Sequence, residues 1–129
     1  MKSYQLRAAP ELLNELAKDI AVWAAGKGFW KVPEELDCVS APTRAWIILL
    51  MKSQKNALFT TEVAEHLEAL RKPQVPSTLP GFTAEEEEIA DTMIRLLDYA
   101  GYYHLRIGEA LCAKMAKNEG RPYMHGKEF

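Results

Sequence analysis

Cysteine is scarce in this 129-residue chain: only Cys38 and Cys112 occur, without the paired spacing of a thiolate metal site. A secreted disulfide scaffold is therefore excluded, and two free thiols in a reducing cytosol are expected. Long hydrophobic runs are missing too. The longest, Ala45 to Met51, falls far short of the roughly 20 apolar residues that a membrane-spanning helix needs. The opening stretch MKSYQLRAAPELLNELAK has no apolar segment behind its charges, so it does not read as a secretory signal. A soluble, cytoplasmic protein with no membrane contact follows. An excess of positive charge is also absent: sixteen basic against eighteen acidic side chains leave a net charge of -2. No global basic field recruits nucleic acid. Nor does any segment alternate apolar and polar residues as a half-buried strand does, and no internal repeat or low-complexity tract appears.

What the chain does have is helical periodicity. Its length and its 48% hydrophobic and 26% charged content suit one soluble globular domain spanning 1–129. A first helix begins near Pro10, carries Leu12, Leu13, Leu16, Ile20 and Trp23 at helical spacing, and stops at Gly26 and Gly28. After the irregular link GFWKVPEELDCVS, Ser40 caps a second helix with Pro42 inside its start. That helix runs to Arg71, with a kink or break expected in the polar stretch Met51 to Asn56. The segment KPQVPSTLPG, with three prolines and a glycine, is a loop. Thr83 and Glu86 form a capping-box pattern for a third helix, whose first-turn glutamates complement the helix dipole. It ends near Gly101, and a fourth helix covers about Leu105 to Asn118. The tail EGRPYMHGKEF lies over the surface or over a partner. The fold class is thus all-α, with four main helices.

Carboxylates are the chain's distinctive feature. At about 100° per residue, Ile89, Ala90, Met93, Ile94, Leu96, Leu97 and Ala100 share one arc of the third helix. Glu88, Asp91, Arg95 and Asp98 share the other, which reads as a solvated face. The second helix differs, because Glu62 points with its apolar arc and Glu65 lies at the edge, while Thr60, Thr61, Glu68 and Arg71 make the solvent side. A buried carboxylate needs a raised pKa, a basic partner or a metal. Lys55 and His66 are the nearby basic candidates. Alternatively, Glu62 and Glu65 on one helix and Glu88 and Asp91 on the next, each pair at i, i+3 spacing, supply four oxygen ligands for a hard cation between adjacent helices. Periodicity leaves ion pair and metal both open.

Other residues favour structural roles. Asp98 is expected to pair with Arg95 or a neighbouring helix, and His66 to be a hydrogen-bonded core histidine. His104 and His125 are not at ligand spacing. Trp23, Phe29 and Trp30 are expected to close a core rather than stack on a base, and Tyr99, Tyr102 and Tyr103 to line a subunit contact.

TEVAEHLEALRK, followed after a proline-rich loop by EEIADTMIRLLDYAG, resembles the MazG-like nucleotide pyrophosphohydrolases of the all-α NTP pyrophosphatase superfamily. Their signature is Glu-x-x-Glu on one helix and Glu-x-x-Asp on the next. WAAGKGFW resembles the segment before the family's metal helices, and KMAKNEGRPYMHGKEF its C-terminal Lys-x-x-Lys-Asn-x-x-Arg element, so the likeness spans most of the chain. The resemblance implies a four-helix bundle in which Glu62, Glu65, Glu88 and Asp91 hold Mg²⁺, with Mn²⁺ as a substitute. Within the element 113–129, it implies that Lys114, Lys117, Asn118 and Arg121 lie near the nucleotide phosphates. The implied reaction cleaves a nucleoside triphosphate between its α and β phosphates, giving the monophosphate and pyrophosphate, with Glu62 or Glu65 accepting the proton. A homodimer or homotetramer is implied as well. Two departures stand out: Thr61 replaces an acid that many members carry, and the link from Lys31 to Lys52 is longer than usual. A dUTPase- or dCTPase-like hydrolase and a catalytically silent interaction module are the alternatives.

Overall fold

The computed structural model describes residues 9–126; the first eight residues of the opening stretch and the last three of the tail lie outside them. Helix α1 spans Ala9–Gly26, α2 Ala41–Arg71, α3 Ala84–Tyr102 and α4 Ile107–Glu119. Short 3-10 turns occupy Glu34–Cys38 and Tyr123–Gly126. The described residues contain no strand and no helix long and apolar enough to cross a membrane. Helix α3 is the hub: α1 and α2 both pack against it, and α4 packs on α1.

Local chemistry sets the helix ends. The Ser40 hydroxyl accepts from the Thr43 N–H and caps α2. At α3, Thr83 Oγ1 accepts from Glu86 N–H while Glu86 accepts from Thr83 N–H at 2.7 Å, so the capping box forms as expected. The loop before it is tied down by Glu87, whose carboxylate accepts from the Ser77 and Thr78 hydroxyls and the Thr78 N–H.

The expected kink in α2 does not occur; its 31 residues form one unbroken helix. Polar side chains in the stretch are accommodated in place. Ser53 donates back to Leu49 O and Asn56 to Lys52 O, while the Lys52 and Lys55 ammonium groups lie 4.1 and 4.3 Å over the rings of Tyr103 and Trp30.

Small residues draw the helices together. An added Cβ on Gly101 would lie 2.0 Å from Ala17 O, and one on Gly108 would lie 2.2 Å from Pro10 O. Both are contact points at which α1 meets a neighbouring helix, and Ala17, Ala21, Ala24 and Ala100 are buried around them. Trp30 fills the end of this core, stacked on Tyr102 at 3.6 Å and edge-on to Tyr103. The three tyrosines are half-buried within the protomer, with Tyr99 packed edge-on against Phe59.

The expected solvent face of α3 holds only in part: Asp91 is exposed and Leu97 and Ala100 of the apolar arc are buried, but other positions depart from it. Asp98 is buried and Glu88 and Arg95 are half-buried, whereas Ile89, Met93, Ile94 and Leu96 of the apolar arc are exposed. On α2, Val63, Leu67 and Leu70 are likewise exposed. Acidic residues of both helices converge where α2 meets α3, and Ile94 borders the cleft they form, while the other apolar residues named face solvent.

Candidate metal centre

Glu62 and Glu65 lie one turn apart on α2, and Glu88 lies in the second turn of α3. One carboxylate oxygen from each of the three falls within 4.8 Å of the others. Asp91, one turn beyond Glu88, stands outside this trio but borders the same cleft as Glu62 and Glu65. That cleft, of about 360 Å³, is also lined by Trp23 and Phe29, both about half exposed rather than closing a core as expected. A second cleft of about 300 Å³ lies toward the proline-rich loop and shares Glu65 and Glu88 with Lys72, Val75 and Pro76.

Glu62 is 7% exposed, as its place on the apolar arc requires. Its basic partner is neither Lys55 nor His66. The Arg95 Nε–H donates to Glu62 Oε1 at 2.8 Å, a pairing between helices that a separation of 33 positions hides from local spacing. Lys55 donates instead to Phe29 O at 2.7 Å. His66 is only partly buried, and its Nε2 faces Glu85 at 3.4 Å rather than a core partner.

Asp98 also differs from expectation. It accepts a 2.6 Å hydrogen bond from Trp30 Nε1 instead of pairing with Arg95. Burial raises its pKa above the ordinary aspartate range, although the Trp30 bond, Lys55 and Arg95 oppose the rise. Burial likewise raises the pKa of Glu88, reinforced by Glu65, Asp91, Glu87 and Glu62, and that of Asp91, reinforced by Glu62 and Glu87. Glu88 Oε2 is buried with no hydrogen-bond partner among the described residues.

These properties fit a divalent cation. Carboxylate oxygens are the hard donors that Mg²⁺ prefers, crowded like charges call for a positive neighbour, and a buried oxygen without a donor is the group an ion would satisfy. Thr61 donates its hydroxyl to Leu58 O and is turned to solvent.

Lys114, Lys117, Asn118 and Arg121 are not brought to either cleft. The first three lie on α4, which packs against α1, and Arg121 follows the helix with its N–H bonded to Asn118 O. The Asn118 side-chain oxygen is buried without a hydrogen bond. The residue that sequence reasoning missed is Arg95. Its signal was a cation on the same stripe as Glu88 and Asp91, set aside there as part of a solvated face.

No protein-family model matches this chain, and searches of curated proteins and of solved structures find no match either.

Proposed function

We propose that this chain is a Mg²⁺-dependent nucleoside triphosphate pyrophosphohydrolase, cleaving between the α and β phosphates to release a nucleoside monophosphate and pyrophosphate. The observation that carries this reading is the meeting of Glu62, Glu65 and Glu88, from two helices, within 4.8 Å. Their order along the chain is that of the Glu-x-x-Glu and Glu-x-x-Asp motifs the sequence resembles.

In this reading Glu62, Glu65, Glu88 and Asp91 hold the cation. Bound there, Mg²⁺ offsets the clustered negative charge, polarises a phosphoryl oxygen and acidifies water. Glu65 is the exposed member of the trio and takes the proton from the attacking water. Trp23 and Phe29, with ring centroids 6.3 Å apart at the cleft wall, offer faces for a base to stack on. The phosphate role of Lys114, Lys117, Asn118 and Arg121 is proposed from the resemblance alone.

The reading also includes a homodimer. The exposed apolar residues of α2 and α3, among them Val63, Leu67, Met93 and Leu96, are the surface a second copy would cover.

A panel of canonical and damaged triphosphates, incubated with Mg²⁺, tests the reaction. Pyrophosphate is the expected product, and orthophosphate alone would contradict the proposed bond. Glu65→Gln and Asp91→Asn should each abolish turnover while leaving the helical circular dichroism intact. A preference for dUTP or dCTP in the same panel would narrow the enzyme to the dUTPase- or dCTPase-like class. A wild-type chain that binds no Mg²⁺ by calorimetry would point to a silent interaction module, in which Arg95 alone accounts for buried Glu62.

A further inference from the structure

We propose that Arg95 is a phosphate-binding residue of the acidic cleft, anchored through Nε on Glu62 and presenting its two terminal amino groups to the phosphate oxygens of the substrate. The inference rests on the pyrophosphohydrolase reading and assigns a contact that the sequence resemblance does not.

Arg95 is the one basic side chain among the described residues that border the cleft. Lys114, Lys117 and Arg121, the three cations implied by the resemblance, do not border it. Lys55, the nearest alternative, is committed elsewhere, with its ammonium on Phe29 O and over the Trp30 ring.

Only the Nε–H of Arg95 is engaged, with Glu62 Oε1 at 2.8 Å. The remaining edge of the guanidinium carries donors in the fork geometry that matches phosphate oxygens. Fixing Nε on a 7% exposed carboxylate and placing the guanidinium 5.9 Å from the Phe29 ring removes much of the side-chain freedom that an anion would otherwise have to freeze. One third of the side chain stays exposed, so the fork is reachable.

Charge sets the order of binding. Glu62, Glu65, Asp91 and Asp98 border the cleft against this one guanidinium, so a phosphate chain alone is repelled. Once a divalent cation offsets the carboxylates, Arg95 becomes the group that fixes where the phosphates lie. Anion binding should therefore depend strictly on the cation and on Arg95 together.

Calorimetric titration of the full chain with inorganic pyrophosphate, with and without Mg²⁺, tests this beside Mg²⁺ titration alone. Wild-type protein should bind pyrophosphate only when Mg²⁺ is present. Arg95→Gln should weaken that binding about tenfold or more, the worth of a charge-assisted hydrogen bond, and raise KM by a similar factor. Its Mg²⁺ affinity should not fall, since the proposed ligand carboxylates remain and a positive charge competing for Glu62 is removed. Arg95→Lys keeps the charge, loses the fork and should recover only part of the loss; it stands in if the glutamine variant does not fold. Wild-type pyrophosphate affinity in both variants would overturn the role of Arg95 while leaving the pyrophosphohydrolase reading intact. Failure of the wild-type chain to bind Mg²⁺ would overturn both.

Discussion

Asp98 shows how a single buried charge is made tolerable. It is 6% exposed and survives there through the Trp30 indole N–H and the nearby Lys55 and Arg95 charges. Removing the indole donor with Trp30→Phe should destabilise the fold by about 1–3 kcal/mol, the penalty for leaving a buried acceptor unmet; chemical denaturation measures it. The raised pKa of Asp98 means that the folded chain holds this proton more tightly than the unfolded chain does. Its burial penalty is therefore complete above the raised value and fades as pH falls toward the ordinary aspartate value. Asp98→Asn keeps an acceptor for Trp30 and carries no charge. Melting temperatures should consequently favour the variant most at neutral pH, with the advantage shrinking on acidification; a difference independent of pH would show that the charge is fully compensated. Glu88 and Asp91 have the same sign of shift, which a bound cation would reverse. Mg²⁺ at a hundredfold excess over its dissociation constant should then add about 2.7 kcal/mol of stability, and Glu88→Gln should remove much of that gain in a thermal shift assay.

At the scale of elements, close approach of α1 to α3 depends on the missing side chain of Gly101. An added methyl would meet the Ala17 backbone oxygen at 2.0 Å, and neither backbone can yield without separating the helices. Gly101→Ala should therefore destabilise by at least the roughly 1–3 kcal/mol typical of overpacking, despite the better helix propensity of alanine. Thr83→Ala, which dismantles a cap, should cost about 1 kcal/mol. Denaturant midpoints would rank the two, and an equal or larger loss at Thr83 would mean that α1 and α3 pack less tightly than described. The caps were legible in the sequence because Ser40, Thr83 and Glu86 act on backbone groups only a few residues away. The acidic pairs were legible for the same reason, each being one turn of a helix. Orientation was not. Periodicity sorts α3 into an apolar and a polar arc, yet it does not reveal which arc faces α2. There part of the polar arc turns inward, because Arg95 meets Glu62 and Asp98 meets Trp30 across long sequence separations. The unbroken course of α2 was hidden likewise, since Lys52 and Lys55 find aromatic rings that only the tertiary fold supplies.

For the whole molecule, surface area is the governing quantity. The chain exposes 10127 Å², whereas a compact monomer of 14.6 kDa is expected to expose about 6,900 Å². Among the described residues no large side chain is fully buried, and the innermost core is chiefly alanine. A fold held by so little burial leaves its larger apolar residues, among them Val63, Leu67, Leu70, Ile89, Met93 and Leu96, in contact with water. The difference of roughly 3,000 Å² per chain, about 6,000 Å² over two copies, is large enough to supply an obligate interface. Covering these residues with a second copy would set α2 and α3 of each protomer against their counterparts. Light scattering after gel filtration should accordingly give twice the chain mass at micromolar concentration, and the melting temperature should rise with protein concentration. Placing like charges among these residues with Leu67→Glu and Met93→Glu together should yield monomers of markedly lower stability. A chain that remains monomeric and melts independently of concentration would show that the exposed apolar residues serve some other contact, because the apolar area itself is fixed by the way α3 turns its carboxylates toward α2.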